Sequence, residues 1–208
     1  MKPGRCLAIL LLLLSTLFGA GSAWAAELST NGGNHGERPG AIQPLGEFAP
    51  GLIADSFFSL DRDIMTIPDV VVGRQVMDLS MPLDDRLQKE QVYEGQVGYL
   101  LTGFLRIDDY GTQEVLVNIT SERGGTCGAA SWINGKLLAS EIGGARRARF
   151  SLSVLGKTTL QPGLYPARLW IACRVPDRKS LVIEVLQRSP GEADFHLPER
   201  YQFVHEFR

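Results

Sequence analysis

The sequence predicts an all-β protein, an antiparallel β-sandwich or distorted barrel with at most one or two short helices. Three observations carry that expectation. Short apolar runs rich in β-branched residues recur between turn residues. Within them apolar and polar side chains alternate with a period of two, the period of a strand. A 3.6-residue stripe is absent except across the charged stretch 83–92, the one place for a short helix.

Taken in order, the runs at 70–72, 97–107, 115–119, 129–133, 150–155, 164–173 and 181–186 read as strands. Asp108-Asp109-Tyr110-Gly111 reads as a hairpin turn, where aspartates have a conformational role. Asn134-Gly135 reads as a second hairpin turn, of the kind that needs positive φ. Alternation then assigns the core. Tyr165, Ala167, Leu169, Ile171 and Cys173 share one face, and Pro166, Arg168, Trp170 and Arg174 share the other. Phe150, Leu152 and Val154 oppose Arg149, Ser151 and Ser153, while Val115, Val117 and Ile119 oppose Leu116, Asn118 and Thr120. One apolar face per strand is what two stacked sheets require, so the first-named set of each strand is expected inside.

The ends of the chain have other roles. Lys2 and Arg5 precede an apolar run at 7–14, and Ala23-Trp24-Ala25 places small residues where a signal peptidase reads, so residues 1–25 are expected to be a signal peptide. The run is far shorter than the roughly 20 residues of a spanning helix. Residues 26–46, rich in Gly, Asn, Ser and Pro, are expected to be a flexible leader; 47–190 form the sandwich, and 191–208 an aromatic C-terminal strand or tail. The expected protein is exported and not membrane-spanning, in the periplasm, secreted, or on the surface of a Gram-negative-type bacterium. Without Cys6, which lies in the signal peptide, an even pair remains in an oxidising compartment, and Cys127 and Cys173 are expected to be bonded.

Charge excludes one class of partner and suggests another. The formal net charge of −2 predicts no affinity for nucleic acid. Residues 121–180 nevertheless hold ten Lys/Arg against three Asp/Glu, whereas 27–120 hold six against fifteen. This is either a solvated face or a basic surface around Arg146, Arg147, Arg149, Arg168 and Arg174 that meets an acidic partner or an anionic glycan. Catalysis finds little support: the near pair Glu192 and Asp194 sits in a turn-like stretch rather than a rigid cleft, and no nucleophile elbow, zinc signature or phosphate loop is present.

Four motifs carry a resemblance. Gly51-Leu52-Ile53-Ala54-Asp55-Ser56-Phe57-Phe58, Thr102-Gly103-Phe104-Leu105-Arg106, Trp132-Ile133-Asn134-Gly135-Lys136, and Leu160 through Tyr165 to Arg168 follow one another in the order of the PA14 family, over roughly residues 48–187. The resemblance implies a β-sandwich that commonly binds carbohydrate, as in adhesins, lectins and glycosidase accessory modules. In the sugar-binding adhesins paired aspartates in a bend hold calcium. Here the matching bend reads Ser121-Glu122-Arg123-Gly124, so no cofactor is expected and calcium is disfavoured. The resemblance places the candidate ligand contacts Glu122, Arg123, Trp132, Asn134 and Lys136 together at one binding end; each also has a plain structural reading, Trp132 as a core residue and Asn134 as a turn. The function expected is an exported, non-catalytic module binding carbohydrate or cell-surface glycan. The alternative is a protein assembly subunit of a secretion, pilus or adhesin system; the aromatic tail either covers the domain's own core or an open sheet edge, or docks on a partner through Tyr201, Phe203 and Phe207 by strand addition.

Overall fold

The computed structural model describes residues 47–57, 60–83, 96–176 and 181–207. The readings made for residues 1–46 and 84–95, including the signal peptide, the leader and most of the possible helix, lie outside the described residues. Among the described residues there is no helix. The strands are β1 (Phe48–Pro50), β2 (Leu52–Phe57), β3 (Gly73–Met77), β4 (Gln96–Ile107), β5 (Gly111–Ser121), β6 (Gly125–Ile133), β7 (Lys136–Ala145), β8 (Phe150–Leu160), β9 (Gly163–Arg174), β10 (Leu181–Arg188) and β11 (Phe203–Glu206).

They form two antiparallel sheets. The larger runs β1-β11-β4-β9-β6-β7, with β2 pairing β4 and β3 pairing β2; the smaller runs β10-β5-β8. Their inner faces meet in one core. Val115, Val117 and Ile119 of β5, Leu152 and Val154 of β8, and Tyr165, Ala167, Leu169, Ile171 and Cys173 of β9 are all buried in it, as alternation predicted. Each large aliphatic side chain so buried stabilises the fold by about 1.5–3 kcal/mol. Cys127 and Cys173 stand directly opposite each other on β6 and β9 and are bonded, with Cα atoms 4.1 Å apart. The bond ties two neighbouring strands of one sheet.

Four expectations need correction. The Asp108–Gly111 turn is not a hairpin, because it carries the chain from β4 in the larger sheet to β5 in the smaller one. Val70, Val71 and Val72 are not a strand; they are exposed, and pairing begins only at Gly73. β7 was missed, since its alternation is blunted by Gly143, Gly144 and exposed Leu137 and Ile142. The expectation of one apolar face per strand fails for β9. Trp170 and Ala172, assigned to the solvent side or left unassigned, are both buried there at 0% exposure, together with Ala130, Phe57, Leu60 and Ile64.

The cause is residues 60–67, which lie over the outer face of the larger sheet. Two cross-strand rungs form their bed, Leu100–Trp170–Ala130 and Gly98–Ala172–Gly128 across β4, β9 and β6. The cover approaches closely at two glycines: a Cβ on Gly98 would sit 2.8 Å from the Trp170 ring and 2.9 Å from Leu60, and one on Gly128 would displace the Met65 side chain. The next rung, Gln96–Arg174–Thr126, pins the cover in place. Leu60 N–H donates to the Gln96 side-chain oxygen at 3.0 Å, Trp170 Nε1–H donates to the Ile64 carbonyl at 2.9 Å, and the Arg174 guanidinium donates to the carbonyls of Leu60, Asp61 and Arg62.

The C-terminal strand is part of the fold. β11 lies between β1 and β4, and Phe203 is 1% exposed in the main core, so Phe203 is not a partner contact. Tyr201 and Phe207 are exposed. Gly103 marks the point where β4 changes partner from β2 to β11; a Cβ there would lie 2.5 Å from the Val204 carbonyl oxygen and 2.6 Å from Leu52.

Between β10 and β11 a turn is closed by charge. His196 Nδ1 faces the Leu197 carbonyl at 2.8 Å and its Nε2 faces the Glu192 carboxylate at 2.9 Å. Both partners are acceptors, so both ring nitrogens are satisfied only as donors, in the imidazolium. The Leu197 carbonyl and Glu192 accordingly raise the His196 pKa, and the Ser189 N–H together with His196 lowers that of Glu192. The raised histidine contributes fully below its unfolded value and loses its contribution as pH climbs through the folded one. The depressed carboxylate contributes above its unfolded value and loses it as pH falls through the folded one. Wild type is therefore expected to exceed His196→Ala in stability by at most about 1 kcal/mol, the surface-pair range, with the largest gap between the ordinary values of 4.5 and 6.5. Urea midpoints of both proteins across pH check this; a gap that grows above neutrality would contradict it.

Candidate functional site

The candidate residues fall at two opposite ends of the molecule. β6 separates them by its nine residues, about 30 Å at 3.3 Å per residue. Glu122 and Arg123 precede β6, whereas Asn134 and Lys136 follow it and Trp132 is its penultimate residue. The single binding end expected for these five residues does not exist.

At the far end, the β6–β7 hairpin turns through Asn134 and Gly135 at φ of 52° and 73°, and the Asn134 N–H donates to the Pro166 carbonyl at 2.7 Å. Both central residues are left-handed, as a two-residue hairpin loop needs. Trp132 is half-buried against the apolar group around Trp170 on the outer face, and the Arg168 guanidinium carbon lies 5.1 Å from its ring centroid. The cation lies over the ring and takes part of its π surface. Asn134 and Trp132 therefore have structural duties here, and Lys136 is exposed.

The near end is built by crossovers between the sheets. Residues 122–124 lead from β5 to β6 and 146–149 from β7 to β8, side by side, because Gly125 pairs Ala145 and Ser121 pairs Phe150. The contact is close: a Cβ on Gly124, which has a φ of 81°, would lie 2.6 Å from the Ala145 carbonyl oxygen and 3.0 Å from the Arg147 nitrogen. Arg174 ends β9 next to Thr126. The fold thus gathers Arg123, Arg146, Arg147, Arg149 and Arg174, four of the five arginines of the expected basic surface among them, and leaves Arg168 at the other end.

A groove of about 630 Å³ opens here, lined by Thr126, Ile142, Gly144, Ala145, Arg146 and Arg174 among others. Since Cys127 and Cys173 point into the core, Thr126 and Arg174 point out, and the groove lies on the outer face of the larger sheet. Four cations elsewhere are paired with carboxylates: Arg74 with Asp55, Arg106 with Asp108, and Lys157 and Arg188 with Glu114, whose carboxyl these two hold below its ordinary range, Lys157 most strongly. Arg149 meets Glu122 at 3.3 Å, both well exposed. Arg146 and Arg147 meet no carboxylate among the described residues, and the guanidinium of Arg174 is spent on neutral carbonyls. Its charge is held in place without being cancelled.

No protein-family model matches the chain, and no curated protein matches it. Solved structures do. The PA14 domain of an antifreeze protein superimposes with a TM-score of 0.50 at 13% identity, covering 79% of this chain and 95% of that domain. A PA14 sugar-binding domain from an RTX adhesin gives 0.51 at 13%, covering 76% and 99%. The fold is PA14-like. The Epithelial Adhesin 6 A domain from Candida glabrata, solved with Galβ1-3GlcNAc, gives 0.51 at 10%, covering 80% and 91%.

Within this PA14-like fold the residues present do not fit a calcium ion. The bend offers one carboxylate, Glu122, which is paired with Arg149, and the Ser121 hydroxyl is donated to the Gly124 carbonyl at 2.8 Å. Arg123 adds positive charge beside them. Calcium needs six to eight oxygens with carboxylates among them, and among the described residues no three His, Cys, Asp or Glu side chains gather to hold a metal. Sequence reasoning missed Thr126, flanked by Gly125 and Cys127, and Ile142, flanked by Glu141 and Gly143; only the register shows that both face outward.

Proposed function

We propose that this chain is an exported, non-catalytic recognition module that binds carbohydrate at a cell surface without calcium. The observation that carries the reading is the PA14-like fold, shared along most of the chain with a sugar-binding adhesin domain. A disulfide-bonded pair supports an exported setting, and no helix among the described residues is long and apolar enough to cross a membrane. The bend without paired aspartates supports independence from calcium.

The second reading is an assembly subunit. The place of β11 inside the larger sheet speaks against a strand-donating tail. Val70, Val71 and Val72, 73%, 44% and 53% exposed, favour a protein contact on that segment instead. A glycan array probed in calcium and again in chelator separates the two. The proposal expects a restricted set of bound glycans with unchanged signal in chelator. Binding abolished by chelator contradicts calcium independence, and silence across the array removes the carbohydrate reading in favour of assembly.

A further inference from the structure

The groove at the crossover end gathers several arginines, of which Arg146, Arg147 and Arg174 meet no carboxylate among the described residues. Arg174 forms one wall and is immobilised by three carbonyls of the covering segment. Arg146 forms the other, and Arg147 follows it in the same crossover. Thr126 supplies a hydroxyl between them, and Ile142, 55% exposed, supplies an apolar contact. Guanidinium forks bind carboxylate, sulfate and phosphate oxygens in pairs. A hydroxyl and an aliphatic side chain suit the oxygens and the C–H face of a sugar ring. Acidic side chains are close too, namely Glu122, which is occupied by Arg149, and Asp61 on the segment that Arg174 holds. They leave a local excess of arginine.

We propose that this groove binds an acidic saccharide, a sugar carrying carboxylate, sulfate or phosphate groups, with Arg146 and Arg147 taking the anionic groups beside the fixed charge of Arg174, and Thr126 and Ile142 the ring. This rests on the carbohydrate reading above and names its ligand class. The site is at the opposite end from Trp132, Asn134 and Lys136, so those three residues have no part in it.

The test uses three probes that share or lack one feature each: dextran sulfate, dextran, and poly-L-glutamate. Binding is measured by calorimetry on the wild type, on Arg146→Glu/Arg147→Glu, and on Thr126→Val, with thermal melts showing that each variant is folded. Both arginines are exposed in a connection, so the double variant leaves the core alone. The wild type is expected to bind dextran sulfate much more tightly than dextran or poly-L-glutamate. Charge reversal is expected to weaken it more than about tenfold, the loss of a charge-assisted contact, and Thr126→Val to weaken it several-fold with little change in salt dependence. Equal binding of poly-L-glutamate, or no loss in either variant, overturns the proposal. Preferential binding of dextran, unaffected by charge reversal, overturns the acidic ligand while leaving the carbohydrate reading standing; binding of none of the three overturns the proposal, and the glycan array then decides the broader reading separately.

Discussion

Trp170→Ala is expected to destabilise the protein by about 3–5 kcal/mol, the range for removing a fully buried large aromatic side chain. The reasoning is local. Trp170 is 0% exposed, its ring stands edge-on to Phe57 with centroids 5.5 Å apart, and Leu60, Ile64, Ala130 and Ala172 enclose it. Its removal opens a cavity and also strands the Ile64 carbonyl that its N–H satisfies. Trp170→Phe separates these effects, since it keeps most of the apolar contact and loses the donor; about 1–2 kcal/mol is expected from it. Urea denaturation of the three proteins measures both numbers. A surface tryptophan, as alternation alone would have it, predicts changes within about 0.5 kcal/mol for either variant.

Removing the disulfide should have a comparable effect by a different route. Cys127 and Cys173 are 46 residues apart in sequence, and in the chain-entropy model opening such a loop in the unfolded state costs about 4 kcal/mol of stability. Cys127→Ala/Cys173→Ala is expected to melt roughly 10 °C lower, given about 2–4 °C per kcal/mol for a chain of this size. The native strands remain paired through their own register, Thr126 with Arg174 to Ile133 with Ala167, so the variant should fold with the same secondary structure. Wild type in strong reductant should approach the variant. Identical melting of the variant and the disulfide-bonded wild type would mean that the bond adds nothing.

How much of this was legible in the sequence depended on whether one face of a strand meets water. For β5 and β8 it does, and the inward residues Val115, Val117, Leu152 and Val154 could be read directly from alternation. For the middle of the larger sheet it does not. There the outward positions Gly98, Leu100, Gly128, Ala130, Trp170 and Ala172 are small or apolar, which was the available signal that something lies over them. What lies over them is a segment with no strand pattern, so its role emerges only in three dimensions. The disulfide was predictable because export and an even cysteine count needed no geometry. The site was harder. Glu122 and Asn134 are twelve positions apart and seemed neighbours, yet the strand between them is extended and puts them at opposite ends. Conversely Arg123, Arg146 and Arg174 are far apart in sequence and are gathered because the β5–β6 and β7–β8 connections turn at the end where β9 finishes.

The most direct test of which end of the molecule recognises its ligand is a residue-by-residue NMR titration of the folded protein with a short sulfated dextran oligosaccharide. The amides of Thr126, Gly144, Ala145, Arg146 and Arg147 should shift progressively and together, with those of Ile133 to Leu137 unchanged. Shifts confined to the Asn134-Gly135 hairpin and Trp132, with the crossover end silent, would contradict this account.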